Sequence, residues 1–488
     1  MNADLVLTIA LPLLGAFLLP IVMRSSIAIG LWTGPIILIY GCWIIADIWL
    51  HGSVQPTSIA IGGFAPPLGI NLYIDSLALL FAFAVQLLGL ICWPFKLDQD
   101  SARRQALMLL LVAASTGLAL SGDLFNLYVF YELAAVATFG LVSASGSSAA
   151  YVATIRYLIL SGIGSVLTLF GIALIYSKTG TLNLAHLAQL APEQLNDKLG
   201  LTAFLSILIG VGVKAELFPV NTWVPEIYAT ASTRLSAFLA GLLSKLALVI
   251  ILRLVLLIFH QPEAAQIILI LGILGVVSGE LTAWRAKEMR RMLAFSSIGQ
   301  LGMMFIAMAL PDGTGILAVL ALAIHHLIIK SGLFMLAEDW GGALQRLRGS
   351  AKAAPLGAAL FVLFSLSLVG MPPLPGFWAK FTLISELAGQ TEPLYLIGLA
   401  VFLLATVIEA SYLFRVAALL YQAPPQESPE EEIPKSEGLS LVTATLFGVG
   451  LIAAAVLIAP VGDGLDTIAT QLQDIDLYIS TVNPGGSQ

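Results

Sequence analysis

Apolar runs of about 20 residues, separated by short polar breaks, follow one another along almost the whole chain. That is the length a helix needs to cross the hydrocarbon core of a bilayer, at a rise of about 1.5 Å per residue through roughly 30 Å of lipid. Membrane-spanning strands would be about half as long and would alternate apolar with polar residues. Composition agrees: of 488 residues, 59% are hydrophobic and only 10% charged, whereas a soluble domain carries about 25% charged residues. So few charges cannot cover a water-facing surface, and the sequence predicts an all-α integral membrane protein.

By length and apolarity the spans number about 14. They run over 4–23, 27–50, 74–93, 104–121, 124–144, 151–176, 201–232, 234–259, 265–284, 290–310, 314–337, 356–388, 393–421 and 439–459. The first has no basic stretch before it and no cleavage-site pattern, so it is expected to be a retained helix and not a signal peptide. Lysine and arginine set the orientation. Loops after odd-numbered spans hold Arg24, Lys96, Arg103, Arg104, Arg234, Arg285, Lys287, Arg290, Arg291, Arg346, Arg348, Lys352, Arg415 and Lys435, whereas those after even-numbered spans hold Lys178 and Lys198. Odd loops are therefore expected to be cytoplasmic, with both termini on the opposite side.

Two spans look broken. The seventh contains Lys214-Ala-Glu-Leu-Phe-Pro219 followed by Trp223-Val-Pro225, and the twelfth contains Gly370-Met-Pro-Pro-Leu-Pro-Gly376 before Lys380. Proline removes a helix donor and clashes with the preceding turn. In lipid, the freed backbone groups must be satisfied by protein or by water in a cavity. Breaks five spans apart, each beside a lysine, suggest two inverted five-helix repeats, spans 4–8 and 9–13, with a transport site between them. The expected domains are 1–103, 104–259, 265–421, an acidic cytoplasmic loop over 422–438, and 439–488.

Ionisable residues recur near the middle of these spans: Glu132, Lys214, Lys245, His325, His326, Lys380 and Glu409. Each costs about 2.5–3.5 kcal/mol or more at the bilayer centre, and such residues generally mark an ion path or a proton relay. A desolvated lysine releases its proton more readily, and a nearby carboxylate reverses that. Histidine exchanges protons near neutral pH. The structural alternatives are a static Glu132–Lys214 ion pair and a snorkelling Lys245. The adjacent histidines diverge by about 100° on a helix, and His325 is the preferred path member. Glu409 reads as a partner of a basic residue or as the terminal acid. Lys330 and Glu386 lie nearer span ends and read as pairing or anchoring residues, Arg253 and Arg415 as interface anchors, and Asp75 as a helix cap.

The net charge of −7 gathers largely in Glu427–Glu437 and Asp463–Asp476, a solvated pattern that gives no reason to expect nucleic acid. Cys42 and Cys92 lie in apolar runs, and no CxxC occurs, so no iron–sulfur or zinc framework is expected. No cofactor or metal site is expected.

The charged residues sit in recognisable strings. Ser121-Gly-Asp-Leu-Phe-Asn-Leu-Tyr-Val-Phe-Tyr-Glu132 and Thr179-Gly-Thr-Leu-Asn-Leu-Ala-His-Leu-Ala188 resemble signatures of the D-type subunits of Mrp multisubunit Na⁺/H⁺ antiporters. Val213-Lys214-Ala, Ala240-Gly-Leu-Leu-Ser-Lys245, Ile324-His325-His326-Leu-Ile-Ile-Lys330 and Pro372-Pro-Leu-Pro-Gly-Phe-Trp-Ala-Lys380 are similar to motifs of the wider family. That family includes the antiporter-like subunits of complex I and of membrane-bound hydrogenases. The resemblance covers nearly the whole chain. It implies about 14 helices with two inverted repeats, a glutamate–lysine pair at Glu132 and Lys214, a relay through Lys245 and His325 or His326, and a terminal Lys380. It also implies other membrane subunits as partners, protons as cargo with sodium ions as a candidate second cargo, and a prokaryotic inner (plasma) membrane. Met292-Leu-Ala-Phe-Ser-Ser-Ile-Gly-Gln300 and Glu409-Ala-Ser-Tyr-Leu-Phe-Arg415 are closer to the redox-linked versions. Two functional readings follow: a proton-translocating subunit of a cation/proton antiporter, or the same module in a redox-driven pump. A membrane scaffold without transport is the third, and the unbroken charged row argues against it.

Overall fold

The computed structural model describes residues 2–51, 55–98, 100–423 and 438–483. Among them, eleven helices are long and apolar enough to cross a membrane, from Asp4–Ser25 to Leu439–Val456. Three shorter apolar helices, Ser76–Ile91, Lys198–Gly212 and Pro355–Val369, complete the apolar set. The molecule is thus a multi-pass, nearly all-helical membrane protein, as lipid requires of a chain whose backbone must satisfy itself. The acidic loop expected over 422–438 lies, for residues 424–437, outside the described residues.

Both expected breaks are present. The seventh run forms a helix over Lys198–Gly212, then irregular turns, then a short helix over Val224–Thr230. The twelfth forms Pro355–Val369, a left-handed Gly370, and Pro375–Ala388. Elements outside the sequence-based expectation include a two-stranded antiparallel hairpin, Thr57–Ala60 with Asn71–Ile74, and the helices Leu184–Gln194, Ile458–Gln473 and Ile475–Val482. The strands are too short to show alternation against the apolar background.

The chain divides into two compact units. The first comprises Met1–Val213, Leu246–Ala264 and Thr470–Gln488. Within it, helix Ser148–Thr179 packs on Lys198–Gly212 through small residues. A Cβ on Gly210 would lie 2.4 Å from the Gly164 carbonyl oxygen and 2.1 Å from Thr168 Oγ1, so the two backbones approach as only glycine permits. The strings around Ser121 and Thr179 prove to be helix starts tied together. Asp123 accepts from the Phe125 and Asn126 amides at the head of Leu124–Ser143. Asn183 accepts from the Ala185 and His186 amides at the head of Leu184–Gln194. The Asn183 side chain then donates to Asn71 Oδ1 at 2.9 Å, and Asn71 donates to Ser58 Oγ at 2.9 Å.

Asp75 is the expected cap, accepting from the Ala78 amide at 2.8 Å. It also forms a buried ion pair: Arg253 Nη2 donates to its two carboxylate oxygens at 2.7 and 2.8 Å. Arg253 is therefore not an interface anchor but a buried partner of Asp75. Its guanidinium also lies 5.6 Å from the centre of the Tyr73 ring, which packs against Tyr478 at 3.9 Å between ring centres. Nearby, the Ser76 amide donates to Gln471 Oε1 at 3.0 Å. The C-terminal segment is thereby fastened to this unit.

The second unit comprises Lys214–Lys245 and Ala265–Ala469. Its helices Pro262–Arg285 and Met289–Met308 also cross on glycines: a Cβ on Gly279 would meet the Gly299 amide nitrogen at 2.4 Å.

Breaking a buried ion pair from one side leaves an uncompensated charge, at a cost of about 3–5 kcal/mol, whereas replacing both partners with apolar residues is much milder. Arg253→Met is therefore expected to lower the detergent-phase melting temperature sharply, and Asp75→Leu/Arg253→Met to recover most of the loss. Equal melting of single and double variants would contradict the pairing energetics.

Candidate functional site

Lys214 follows the last turn of Lys198–Gly212 by two residues and is buried. Two residues on, Glu216 adopts φ 55°, a left-handed backbone that non-glycine residues rarely take. The conformation turns the glutamate inward, where it is 1% exposed. Tyr228 Oη, on the short helix after the break, donates to Glu216 Oε1 at 2.6 Å. The Asn221 side chain donates to the Glu216 carbonyl at 3.3 Å. The break thus delivers a carboxylate and supplies the groups that hold it.

Lys245 follows a five-residue π-helical segment, Leu239–Leu243, a widened turn that recurs at functional sites. Its ammonium donates to the Ala240 carbonyl and, at 3.2 Å, to Ser244 Oγ. Glu216 and Lys330 both act on it electrostatically. Lys330 lies in helix Ile316–Leu336, fully buried, and donates to the Leu293 carbonyl at 3.0 Å. It feels Glu409, Glu280 and Glu216, so it occupies the middle of the charged row and not a span end.

Lys380 lies just past the second break. Its ammonium meets Glu409 Oε2 at 2.5 Å and the Val369 carbonyl, at the end of the preceding helix, at 3.5 Å. The Phe402 ring lies 5.9 Å away. Gln300 donates to Glu409 Oε1 at 2.6 Å. Glu409 is thus the partner of a basic residue, one of its two expected roles. Glu280 stands in the same cluster, 1% exposed, with Tyr412 Oη donating to its Oε2 at 3.0 Å.

The histidines diverge as helix geometry requires. His325 Nε2 pairs with Ser367 Oγ at 2.9 Å, feels Lys380, and reaches a cavity of about 370 Å³ lined by Ile324, Trp378, Thr382 and Leu451 among others. His326 is wholly buried and feels Lys245 and Lys330. The structure therefore brings His326, not the preferred His325, to the Lys245 side of the row. Glu132 belongs to the first unit, on helix Leu124–Ser143, half-buried with its Oε1 shielded from solvent. Arg415 is exposed and donates to the Ala286 carbonyl at 3.1 Å.

Sequence reasoning thus passed over Glu216, Glu280 and the position of Lys330. Glu216 was visible within Lys214-Ala-Glu but was absorbed into the break. Glu280 stands five residues before Arg285, near the end of its apolar run, and the sequence offers no local sign of its burial.

The chain that carries these residues has relatives in sequence and in fold. Residues 121–408 match the family described as NADH:quinone oxidoreductase/Mrp antiporter, TM. The chain belongs to that family. It is 30% identical, over 92% of its length, to the N subunit of the NADH-quinone oxidoreductase of Desulforudis audaxviator (strain MP104C), 94% of which is covered. It is 28% identical to the D subunit of the Na(+)/H(+) antiporter of Alkalihalophilus pseudofirmus, with 99% of each chain covered. A chain in the solved structure of the membrane-bound sulfane sulfur reductase, an archaeal respiratory membrane complex, superimposes with TM-score 0.89 at 30% identity, covering 98% of this chain and 99% of that one. The family match spans every candidate residue except Glu409, the residue immediately after it.

The site also depends on a missing side chain. A Cβ on Gly299 would lie 2.2 Å from Glu280 Oε1. Forcing atoms into a packed core typically costs about 1–3 kcal/mol. Gly299→Ala is expected to lower the melting temperature, and Gly299→Ala/Glu280→Ala to restore part of it. Gly462→Ala, where no atom lies within 4 Å of the new methyl, serves as the neutral control. Equal melting of the two single variants would refute the contact.

Proposed function

We propose that this chain is a proton-translocating, antiporter-like subunit of a multisubunit membrane complex. The observation that carries the reading is the chain of buried charges in the second unit: Glu216, Lys245, His326, Lys330, Glu280, Glu409 and Lys380, each within electrostatic reach of a neighbour. Burial at such cost is retained where it serves an ion path. In this reading a signal from a neighbouring subunit alters the electrostatic surroundings of Lys214. That change makes Lys214 hold or release its proton, and the shift propagates through Lys245 and His326 to the Lys380–Glu409 pair. His325 lines the flank of the route beside the cavity. The two broken helices occupy corresponding places within two inverted five-helix repeats, spans 4–8 and 9–13 of about 14, and the positive-inside bias favours both termini on the non-cytoplasmic side of a prokaryotic plasma membrane.

Membership of the antiporter branch, with the cation/proton exchange named for the Alkalihalophilus relative, is the first assignment of the host complex. The second is a redox-driven pump, supported by the 30% identity to a quinone oxidoreductase subunit and by the likeness to a chain of a respiratory complex. In either host this chain does the proton transfer and the driving reaction lies elsewhere.

In the intact complex reconstituted in vesicles, Lys214→Ala is expected to lower proton flux at least about tenfold, the scale of a lost proton-transfer group, while the other subunits still co-purify. Unchanged flux would remove the relay. Iron or flavin in stoichiometric amount in the purified complex would assign the redox-driven host, and their absence from a complex that retains its membrane subunits would assign the antiporter.

A further inference from the structure

We infer that Glu280 is a proton-carrying member of the relay, joining Lys330 to the Lys380–Glu409 pair. The inference deepens the proposed function and rests on it. Glu280 lies in helix Pro262–Arg285, in the glycine-lined crossing with Met289–Met308. That close approach brings its carboxylate beside Gly299, the one residue type there that leaves it room.

A structural carboxylate in a helical membrane interior would be expected to have both oxygens satisfied, because each unpaired buried polar atom is costly. Glu280 does not meet that expectation. Oε2 accepts from Tyr412 Oη at 3.0 Å, while Oε1 is buried and has no hydrogen-bond partner among the described residues. The groups that act on it come from three neighbouring helices: Glu409 and Tyr412 from Pro393–Tyr421, Lys380 from Pro375–Ala388, and Lys330 from Ile316–Leu336. Glu409 is already engaged on both oxygens, by Gln300 and by Lys380. The free acceptor atom in this cluster is therefore Glu280 Oε1.

The chemistry balances without any further reactant. The Lys330 ammonium gives one proton to Glu280 Oε1, leaving a neutral amine and a neutral carboxylic acid. When Lys380 has released its own proton onward, the Glu280 acid passes its proton to the Lys380–Glu409 pair and returns to carboxylate. Each step moves one proton and leaves the summed charge of the four groups changed only by what enters or leaves the row. Tyr412 holds Glu280 in place in both states, since its hydroxyl donates to a carboxylate or to the carbonyl oxygen of an acid.

Two substitutions separate a relay from a packing role because they rank oppositely. Glu280→Gln keeps the size and the acceptor for Tyr412 but cannot take up a proton. Glu280→Asp keeps the carboxyl group but is one methylene short. A relay predicts that Glu280→Gln loses proton flux at least about tenfold in a complex that still assembles, with Glu280→Asp clearly more active. A packing role predicts that Glu280→Asp is the worse of the two, and that result would overturn the inference, as would full flux in Glu280→Gln. Lys380→Met, measured in the same vesicles, tests the parent reading: loss of flux there with normal flux in Glu280→Gln defeats the role of Glu280 alone, whereas normal flux in both defeats the proposed function itself.

Discussion

An ammonium group in a bilayer interior is tolerable only beside negative charge, and that constraint organises the second unit. Lys245, Lys330 and Lys380 are set against Glu216, Glu280 and Glu409, all six buried. The match in number matters for energy. An isolated buried charge costs several kcal/mol even after relaxation. Within a balanced cluster, however, moving a proton from lysine to glutamate converts two charges into two neutral groups. The charged pair gains Coulomb attraction and the neutral pair avoids desolvation, so the two states lie closer in energy than either charge alone would allow. A row built this way can be tipped by a modest change at one end.

The helix breaks supply what the charges need beyond each other. Lys245 donates to the Ala240 carbonyl at a π-helical turn, and Lys380 approaches the Val369 carbonyl where a helix stops. Lys330 donates to the Leu293 carbonyl of a neighbouring helix. A backbone carbonyl accepts from an ammonium or from a neutral amine alike. The carboxylates are held in the same neutral manner, Glu216 by Tyr228, Glu280 by Tyr412 and Glu409 by Gln300. Each of these lysines and carboxylates thus keeps one contact that does not depend on its own charge, so its position survives a change of protonation.

What the sequence could express followed from lengths and from residues costly to bury. Run length made the helical membrane architecture legible, and proline beside lysine located both breaks, because neither signal depends on which neighbours a helix finds. Lys214, Lys245 and Lys380 stood out because each sits within a long, largely apolar run. Lys330 was harder to place because depth in the protein was inferred from distance to the end of a run, and Glu280 carries no local signal at all. Helix Met289–Met308 is almost wholly enclosed, and its glycine contacts draw Glu280 into the interior despite the nearby Arg285. The assignment of Arg253 failed for a related reason: its partner Asp75 lies 178 positions away, and no local pattern encodes such a pairing.

The choice between the two histidines shows how little separates a path residue from its neighbour. One step along a helix turns a side chain by about 100°. That turn sets His325 against Ser367 and the apolar cavity, and His326 among Lys245 and Lys330. Both ring nitrogens of His326 are buried without a hydrogen-bond partner among the described residues, whereas His325 has a hydroxyl to hold one of its nitrogens. A histidine free at both nitrogens can accept at one and donate at the other. It is therefore suited to pass a proton between two lysines that would repel each other if both were charged. The same pair of lysines, without an intervening neutral carrier, would favour only one ammonium at a time. In the proposed relay, a row of lysines interleaved with carboxylates and one imidazole would pass protons in single file, each step made possible by the vacancy ahead of it.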